Sequence, residues 1–256
     1  RISLGLLFSL GAALSVHGQN TSFEFWPETD IWYRINPSWR FSTFMPITKY
    51  HESANRDFNI YIQVDYAWGH TRTAFFNRRM DEIKEHQLKG WMVRGGYMGG
   101  WSLYDHAEKY TEDMWFAEIH KRIPFKGEEL FSNRIRVDTR WIGQEPKFSY
   151  RVRYRVMIEK EFTSGHTAIM PYVNIEPYWD SRYSKIIKTR AIAGATTSWH
   201  PRFALEGNVT YQYDESYDTN HLYVLNLILH LYFENHHKKD DTSGRSGFND
   251  IPRPEL

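Results

Sequence analysis

The chain has 256 residues, with 32 Lys and Arg against 31 Asp and Glu and no cysteine. That balance lacks the basic excess or stripe a nucleic-acid partner needs, and without cysteine there are no disulfides, thiolate metal sites or lipidated cysteine. Aromatic residues reach 17%, including 10 Trp and 17 Tyr, a load that suits a polar-interior membrane barrel with aromatic girdles better than an ordinary water-soluble domain.

At the N-terminus, Ile2 to Val16 is an almost unbroken run of apolar and small residues, preceded by Arg1 and followed by His17-Gly18. This has the form of a secretory signal peptide spanning 1–18, with cleavage after Gly18. A membrane anchor is the alternative, but a spanning helix needs about 20 apolar residues. Cleavage would remove Arg1 and no acid, leaving 31 basic and 31 acidic side chains. No later segment reads as a transmembrane helix.

From 19 to 234 the dominant pattern has period two, the signature of strands whose successive side chains point to opposite faces. Ile31, Tyr33 and Ile35 oppose Asp30, Trp32 and Arg34, and Trp39, Phe41, Met45 and Ile47 oppose Arg40 and Ser42. The clearest case puts Phe58, Ile60, Ile62, Val64, Tyr66 and Trp68 on one face and Asn59, Tyr61, Gln63, Asp65 and Ala67 on the other. Its length of about 11 residues is what a tilted strand needs to cross a bilayer. Weaker alternation covers 89–98 and 113–122. It strengthens again where Ile135, Val137 and Trp141 oppose Arg134, Arg136, Asp138 and Arg140, and where Phe148 to Ile158 opposes Arg151, Arg153, Arg155 and Glu159. Segments 169–179 and 189–199 are weaker. Phe203 to Tyr213 and Tyr223 to Phe233 are clear.

These are about eleven strands. Asn36-Pro37-Ser38 and Trp199-His200-Pro201-Arg202 read as tight turns, with longer polar loops at 48–57, 99–112, 180–188 and 214–221. Segment 70–87 reads as a further strand or a short amphipathic helix. After Phe233 the chain turns polar, and 235–256 reads as a flexible tail. The expected fold is all-β: a single-domain, antiparallel transmembrane β-barrel of about 10–12 strands. An even count, 10 or 12, is favoured because single-chain bacterial barrels prefer one. The location implied is the outer membrane of a Gram-negative cell. A soluble sandwich or lipocalin-like barrel carries the same alternation, since the pattern does not state which face is outside.

The segment Phe25-Trp26-Pro27-Glu28-Thr29-Asp30, followed by a strand, a short turn and Trp39-Arg40-Phe41-Ser42, resembles the opening of the domain-of-unknown-function 2490 family. Ser132-Asn133-Arg134-Ile135-Arg136 and Ser149 to Arg155 are similar to its basic-aromatic middle strands. The resemblance covers about 23–234. It implies an outer-membrane barrel of the Bacteroidetes type and supplies no catalytic residues.

The most unusual feature is a ladder of charges on one face of the strands. Arg34, Arg134, Arg136, Arg140, Arg151, Arg153, Arg155 and Arg190 share that face with Asp65, Asp138, Glu159, Glu176 and Glu206, and Asp30 is a further acid within reach. Read functionally, they form a basic constriction that selects anions. Read structurally, they are paired charges filling a narrow barrel, the favoured account because buried charges persist only when paired.

Catalysis has one weak candidate, Ser164-Gly165-His166, without a recognisable motif, so no enzyme is expected. His230 and His236-His237 lack the spacing of a structural zinc site. Gly95, Gly96, Gly99 and Gly100 lack the Lys-Ser/Thr of a phosphate loop and read as bulges or kinks in a strand. No cofactor is expected. The partners expected are outer-membrane lipid and a small solute in the lumen, not nucleic acid. The role implied is a structural barrel or one that binds or passes a small solute. The alternatives are an outer-membrane lipid hydrolase-like enzyme and a soluble secreted binding barrel.

Overall fold

The computed structural model describes residues 21–234 except 37, 50–55, 73–81, 84–86, 104–110, 126–128, 144–146, 165–166, 201 and 217–219. The leader at 1–18, the tail at 235–256 and most of 70–87 therefore lie outside the described residues. In chain order the strands are β1 (Thr21–Arg34), β2 (Trp39–Lys49), β3 (Arg56–Arg72), β4 (Glu82–Ile83), β5 (Gln87–Ser102), β6 (Thr111–Pro124) and β7 (Glu129–Ile142). They continue with β8 (Lys147–Lys160), β9 (Phe162–Ser164), β10 (Thr167–Asp180), β11 (Lys185–His200), β12 (Phe203–Asp214) and β13 (His221–Glu234). There is no helix among the described residues.

Eleven of these strands form one closed ring in the order β1, β2, β3, β5, β6, β7, β8, β10, β11, β12, β13, with β13 returning to β1. The two short strands β4 and β9 pair only with β5 and β10. The count lies within 10–12 but is odd, and the even expectation is corrected. In an up-and-down meander, an odd number of strands leaves the first and last running the same way. The closing pair must then be parallel, and β1 and β13 are paired in parallel over fourteen rungs, from Thr21↔His221 to Arg34↔Glu234. The barrel is mixed rather than purely antiparallel.

Connections on the end reached by β1 are short at 35–38, 125–128 and 201–202, while the opposite end carries 50–55, 103–110 and 215–220. The long 73–86 connection lies on the short-turn end and breaks that asymmetry. The loop expected at 180–188 shrinks to the four-residue turn 181–184, and the strands extend into the segments read as loops at 48–57 and 99–112. The glycines of β5 form no bulge: pairing to β6 runs without a shift from Trp91↔Lys121 to Trp101↔Thr111. Gly96 is instead a close approach, where a Cβ would sit 2.6 Å from the Phe116 ring and from the Ile62 carbonyl oxygen.

The two faces separate sharply. Outward side chains are apolar: Ile62, Val64, Val93, Ile119, Ile135, Val137, Val173, Ile175, Val209, Leu225, Leu227 and Leu229 are all exposed. Inward side chains are mainly polar or charged, including the buried Gln63, Asp65, Glu118, Arg136, Asp138 and Glu176, with buried apolar groups such as Met98, Met114, Leu130 and Leu222 among them. The barrel is therefore inverted relative to a soluble one, which buries its apolar face.

Aromatic rings gather at both ends of the outer surface. One belt holds Trp39 against Tyr66 at 4.8 Å, Tyr66 against Trp68 at 5.7 Å and Trp199 against Phe203 at 5.4 Å. The other holds Phe23 against Tyr223 at 5.3 Å, Phe58 against Trp101 at 5.3 Å, Tyr97 against Trp115 at 5.1 Å and Trp141 against Phe148 at 5.4 Å. Phe58 and Trp68 lie on one strand, ten residues apart. That is about 33 Å of strand at ~3.3 Å per residue, or roughly 25 Å along the axis at the tilt usual for membrane barrels.

Candidate functional site

The interior is where the sequence concentrates its chemistry. Period-two alternation on β7 and β8 turns Arg134, Arg136, Asp138 and Arg140 inward beside Arg151, Arg153 and Arg155, and the antiparallel register sets Arg136 opposite Arg153 and Arg134 opposite Arg155. Like charges directly opposite on a sheet repel, so the rungs require carboxylates close beside them.

Three carboxylates supply them. Asp138, fully buried, accepts from Arg136 Nε and from Arg151 Nε at 2.8 Å, with Arg153 Nη1 3.9 Å away. Glu176 of β10 pairs with Arg134, accepts from Arg153 Nε at 3.1 Å and Nη2 at 3.0 Å, and takes the Tyr178 hydroxyl at 3.0 Å. Glu118 of β6 accepts from Arg136 Nη1 at 2.8 Å and Arg94 Nη1 at 3.4 Å, and its Oε2 lies 2.7 Å from His120 Nε2. The network continues to Asp65, which Arg40 and Arg94 grip through their Nε atoms at 2.6 Å each. At the far end Arg140 pairs with Glu112 and reaches Asp180 at 3.5 Å. In the 181–184 turn, Arg182 holds Asp180 at 2.7 Å, and that hydrogen bond raises the guanidinium's already high pKa. An apolar knot of Met98, Met114, Phe116 and Tyr61 packs among these charges, with the Arg136 guanidinium 3.9 Å from the Phe116 ring centre.

The opposite wall, β11 to β13 and β1, is built differently. Asn226 Nδ2 donates to Asn208 Oδ1 at 2.6 Å and to Thr210 Oγ1 at 3.1 Å, and Arg190 donates to Gln212 at 2.6 Å. Glu206 accepts from Tyr172, from Thr196 at 3.1 Å and from Asn208 at 3.1 Å. His230 sits 3.2 Å from both Glu206 and Asp30. Tyr172 and Glu206 lie on strands flanking β11. Gly194 of β11 shares its rung with Tyr172 and Asn208, two residues from the Thr196 opposite Glu206, and a Cβ there would come within 2.4 Å of Asn208 Cβ.

Between the walls lies a cavity of about 610 Å³. Of the charges expected inside, Arg134, Arg136, Arg140, Arg151, Arg153, Arg155, Glu159, Glu176, Arg190 and Glu206 line it. Asp138 and Asp65 are fully buried behind their arginine partners, and Arg34 lies at the end of β1 on the same face as Asp30. Sequence reading missed Arg94, Glu112, Glu118 and His120. They lie on β5 and β6, where glycines and the inward Met114 and Phe116 blur the polar face, although Glu118 and His120 do stand at the correct spacing. Ser164 ends β9, while Gly165 and His166 lie outside the described residues, as do His51, His106, His236 and His237.

No curated protein and no solved structure matches the chain. One family profile does, over residues 23–223, described as protein of unknown function (DUF2490). With most of its length inside that match, the chain belongs to the DUF2490 family.

Proposed function

We propose that the protein is an outer-membrane β-barrel, exported through a cleaved leader, that holds a small polar solute in a closed, charge-walled lumen. One observation carries the membrane reading. The outer surface is a band of aliphatic side chains roughly 25 Å tall between two aromatic belts, the form a bilayer selects, while the charges face inward. In water such a surface would be one continuous apolar patch, far above the few hundred Å² that soluble monomers expose. Ionisable side chains on the outer face, such as Asp113 and Lys121, lie near its ends, within reach of the aromatic belts.

The closed-lumen part rests on the paired arginines, which cross the interior as a fixed network, and on the cavity of about 610 Å³ beside it, within the range of small-molecule sites. Detergent-solubilised protein should migrate faster on a gel before heating than after it, and should precipitate without detergent. A folded monomer in plain buffer would overturn the membrane reading. In planar bilayers the wild type should show no steady conductance. A stable, ion-selective current would replace the closed lumen with an open path.

A further inference from the structure

The charge network has one member left over. Arg155 lines the cavity and, among the described residues, makes no hydrogen bond or ion pair, although Glu118 and Glu176 lie within electrostatic reach. Those two carboxylates are already engaged: Glu176 by Arg134, Arg153 and Tyr178, and Glu118 by Arg94, Arg136 and His120. Across the ladder from Arg155 stands Arg134, nine-tenths buried, whose Nε has no hydrogen-bond partner. On the other side the register of β8 with β10 runs Met157↔Asn174 and Ile175↔Val156, which puts Arg155 beside Glu176 and one diagonal step from Asn174. Asn174 is also about nine-tenths buried, lines the cavity, and has an unpartnered Oδ1. Diagonal neighbours on a sheet lie within reach of long side chains.

Leaving aside Arg94, which Asp65 holds, the five guanidiniums of Arg134, Arg136, Arg151, Arg153 and Arg155 converge around the three carboxylates Glu118, Asp138 and Glu176, so this part of the wall carries more positive charge than those carboxylates neutralise. Buried polar groups are almost always hydrogen-bonded, and an uncompensated buried cation is costly. Arg155 and Arg134 bring donors that lack an acceptor, and the Asn174 amide beside them is unengaged at its oxygen; all three side chains line one cavity.

We propose that Arg155, Arg134 and Asn174 form a binding site for one small oxyanion, a carboxylate or a phosphate, inside the barrel. Arg155 offers its planar fork of donors, a match for two anion oxygens. Arg134 adds its unpartnered Nε–H, which is sealed from the cavity as it stands and reaches the anion only once the side chain turns toward it. Asn174 turns its amide so that the nitrogen donates, an orientation set by the network and not by the shape of the group. The proposal deepens the solute-holding reading and names its chemical class, but it does not depend on the membrane.

The test is titration of the whole folded protein in lipid-free, non-ionic detergent with inorganic phosphate and, separately, acetate. Chloride at matched ionic strength is the control, and heat per injection and melting temperature are the readouts. Leaving lipid out ensures that a bound anion comes from solution rather than from a headgroup. Wild type should bind one phosphate or acetate per chain saturably and melt higher with it. Arg155→Gln should bind about tenfold or more weakly, the factor expected when a charged hydrogen bond is lost. In anion-free buffer Arg155→Gln should melt no lower than wild type, because it removes an unpaired charge. No saturable binding, unchanged affinity in Arg155→Gln, or a marked drop of its anion-free melting temperature would each overturn the site. An Arg155→Gln chain that fails to fold counts as that drop; Asn174→Leu is the second variant, with weakened binding expected and wild-type affinity refuting. The failures are separable: a protein folded without detergent defeats the membrane reading yet can still be titrated.

Discussion

The two halves of the barrel wall solve the same problem by different means. From β5 to β10 the inward face is ionic, and single carboxylates such as Asp138 and Glu176 each gather two or more arginines from different strands. From β11 through β13 to β1 amides and hydroxyls take a larger part, with Asn226 bonding across to Asn208 and Thr210 and Gln212 to Arg190, beside a separate cluster of His230 with Asp30 and Glu206. Leu222 and Val224 pack there, nearly fully buried. The difference teaches where rigidity resides. An ion network in a low-dielectric interior is intolerant of losing a member, because the stranded charge has nowhere to go. A neutral hydrogen-bond ladder loses only one modest bond at a time. The parallel closing pair, β1 with β13, lies in this amide-bearing half, with Asp30 and His230 facing each other across it. Parallel pairing is slightly weaker per residue, and fourteen rungs offset that.

The largest expected effect breaks the ionic half. Asp138→Ala removes the acceptor shared by Arg136 and Arg151 and should destabilise by about 3–5 kcal/mol, the range for breaking a buried pair. Arg153→Ala should follow the same direction by stranding part of Glu176. Both are read as melting temperatures of the refolded protein in detergent. A change within experimental error for Asp138→Ala would show that the network is solvated and the halves alike.

Next comes a change to which both halves should respond equally, because their outer faces are the same. Ile135→Arg on β7 and Leu227→Arg on β13 sit near the middle of their strands, facing outward. Each should cost on the order of 2–4 kcal/mol if that face contacts hydrocarbon, measured by refolding into lipid vesicles. Val64→Arg belongs to the same class, and Gln63→Arg and Asn226→Arg on the inner face should be milder. Equal tolerance of Arg on both faces would defeat the assignment of inside and outside.

Smaller again is Gly96→Ala. The added methyl meets the Phe116 ring and the Ile62 carbonyl oxygen at 2.6 Å, and overpacking of this kind costs about 1–3 kcal/mol. Smallest is Asn226→Ala in the amide ladder of the other half, which forfeits bonds to Asn208 and Thr210 worth about 1 kcal/mol. A loss for Asn226→Ala as large as for Asp138→Ala would erase the distinction between the two walls.

Much of this was legible in the residues. Strands that later proved central, such as Phe58 to Trp68 and Phe148 to Ile158, announce themselves by unbroken alternation, and the arginines of β7 and β8 appear on one face because spacing alone puts them there. Where alternation is interrupted, reading fails for a stated cause. On β6 the inward Met114 and Phe116 look like outward residues, because a patch of the interior is apolar and local sequence carries no sign of it. On β5 glycines suggest a kink, while at Gly96 a ring from the next strand, and at Gly100 the Asn59 amide of the preceding one, occupies the space a Cβ would take.

What the sequence by itself determined is therefore the partition of each strand into two faces and the kind of residue on each. Period two is unchanged when inside and outside are exchanged, so no count of alternating residues could choose between a lipid-facing and a core-facing apolar side. Closure chose: once eleven strands join into a ring, with the first and last parallel, the polar faces turn inward together. Which arginine meets which carboxylate was also beyond the sequence. Glu176 and Arg134 are 42 residues apart, and only the register of three neighbouring strands brings them together. Among the described residues, the same register leaves Arg155 with no hydrogen bond or ion pair of its own.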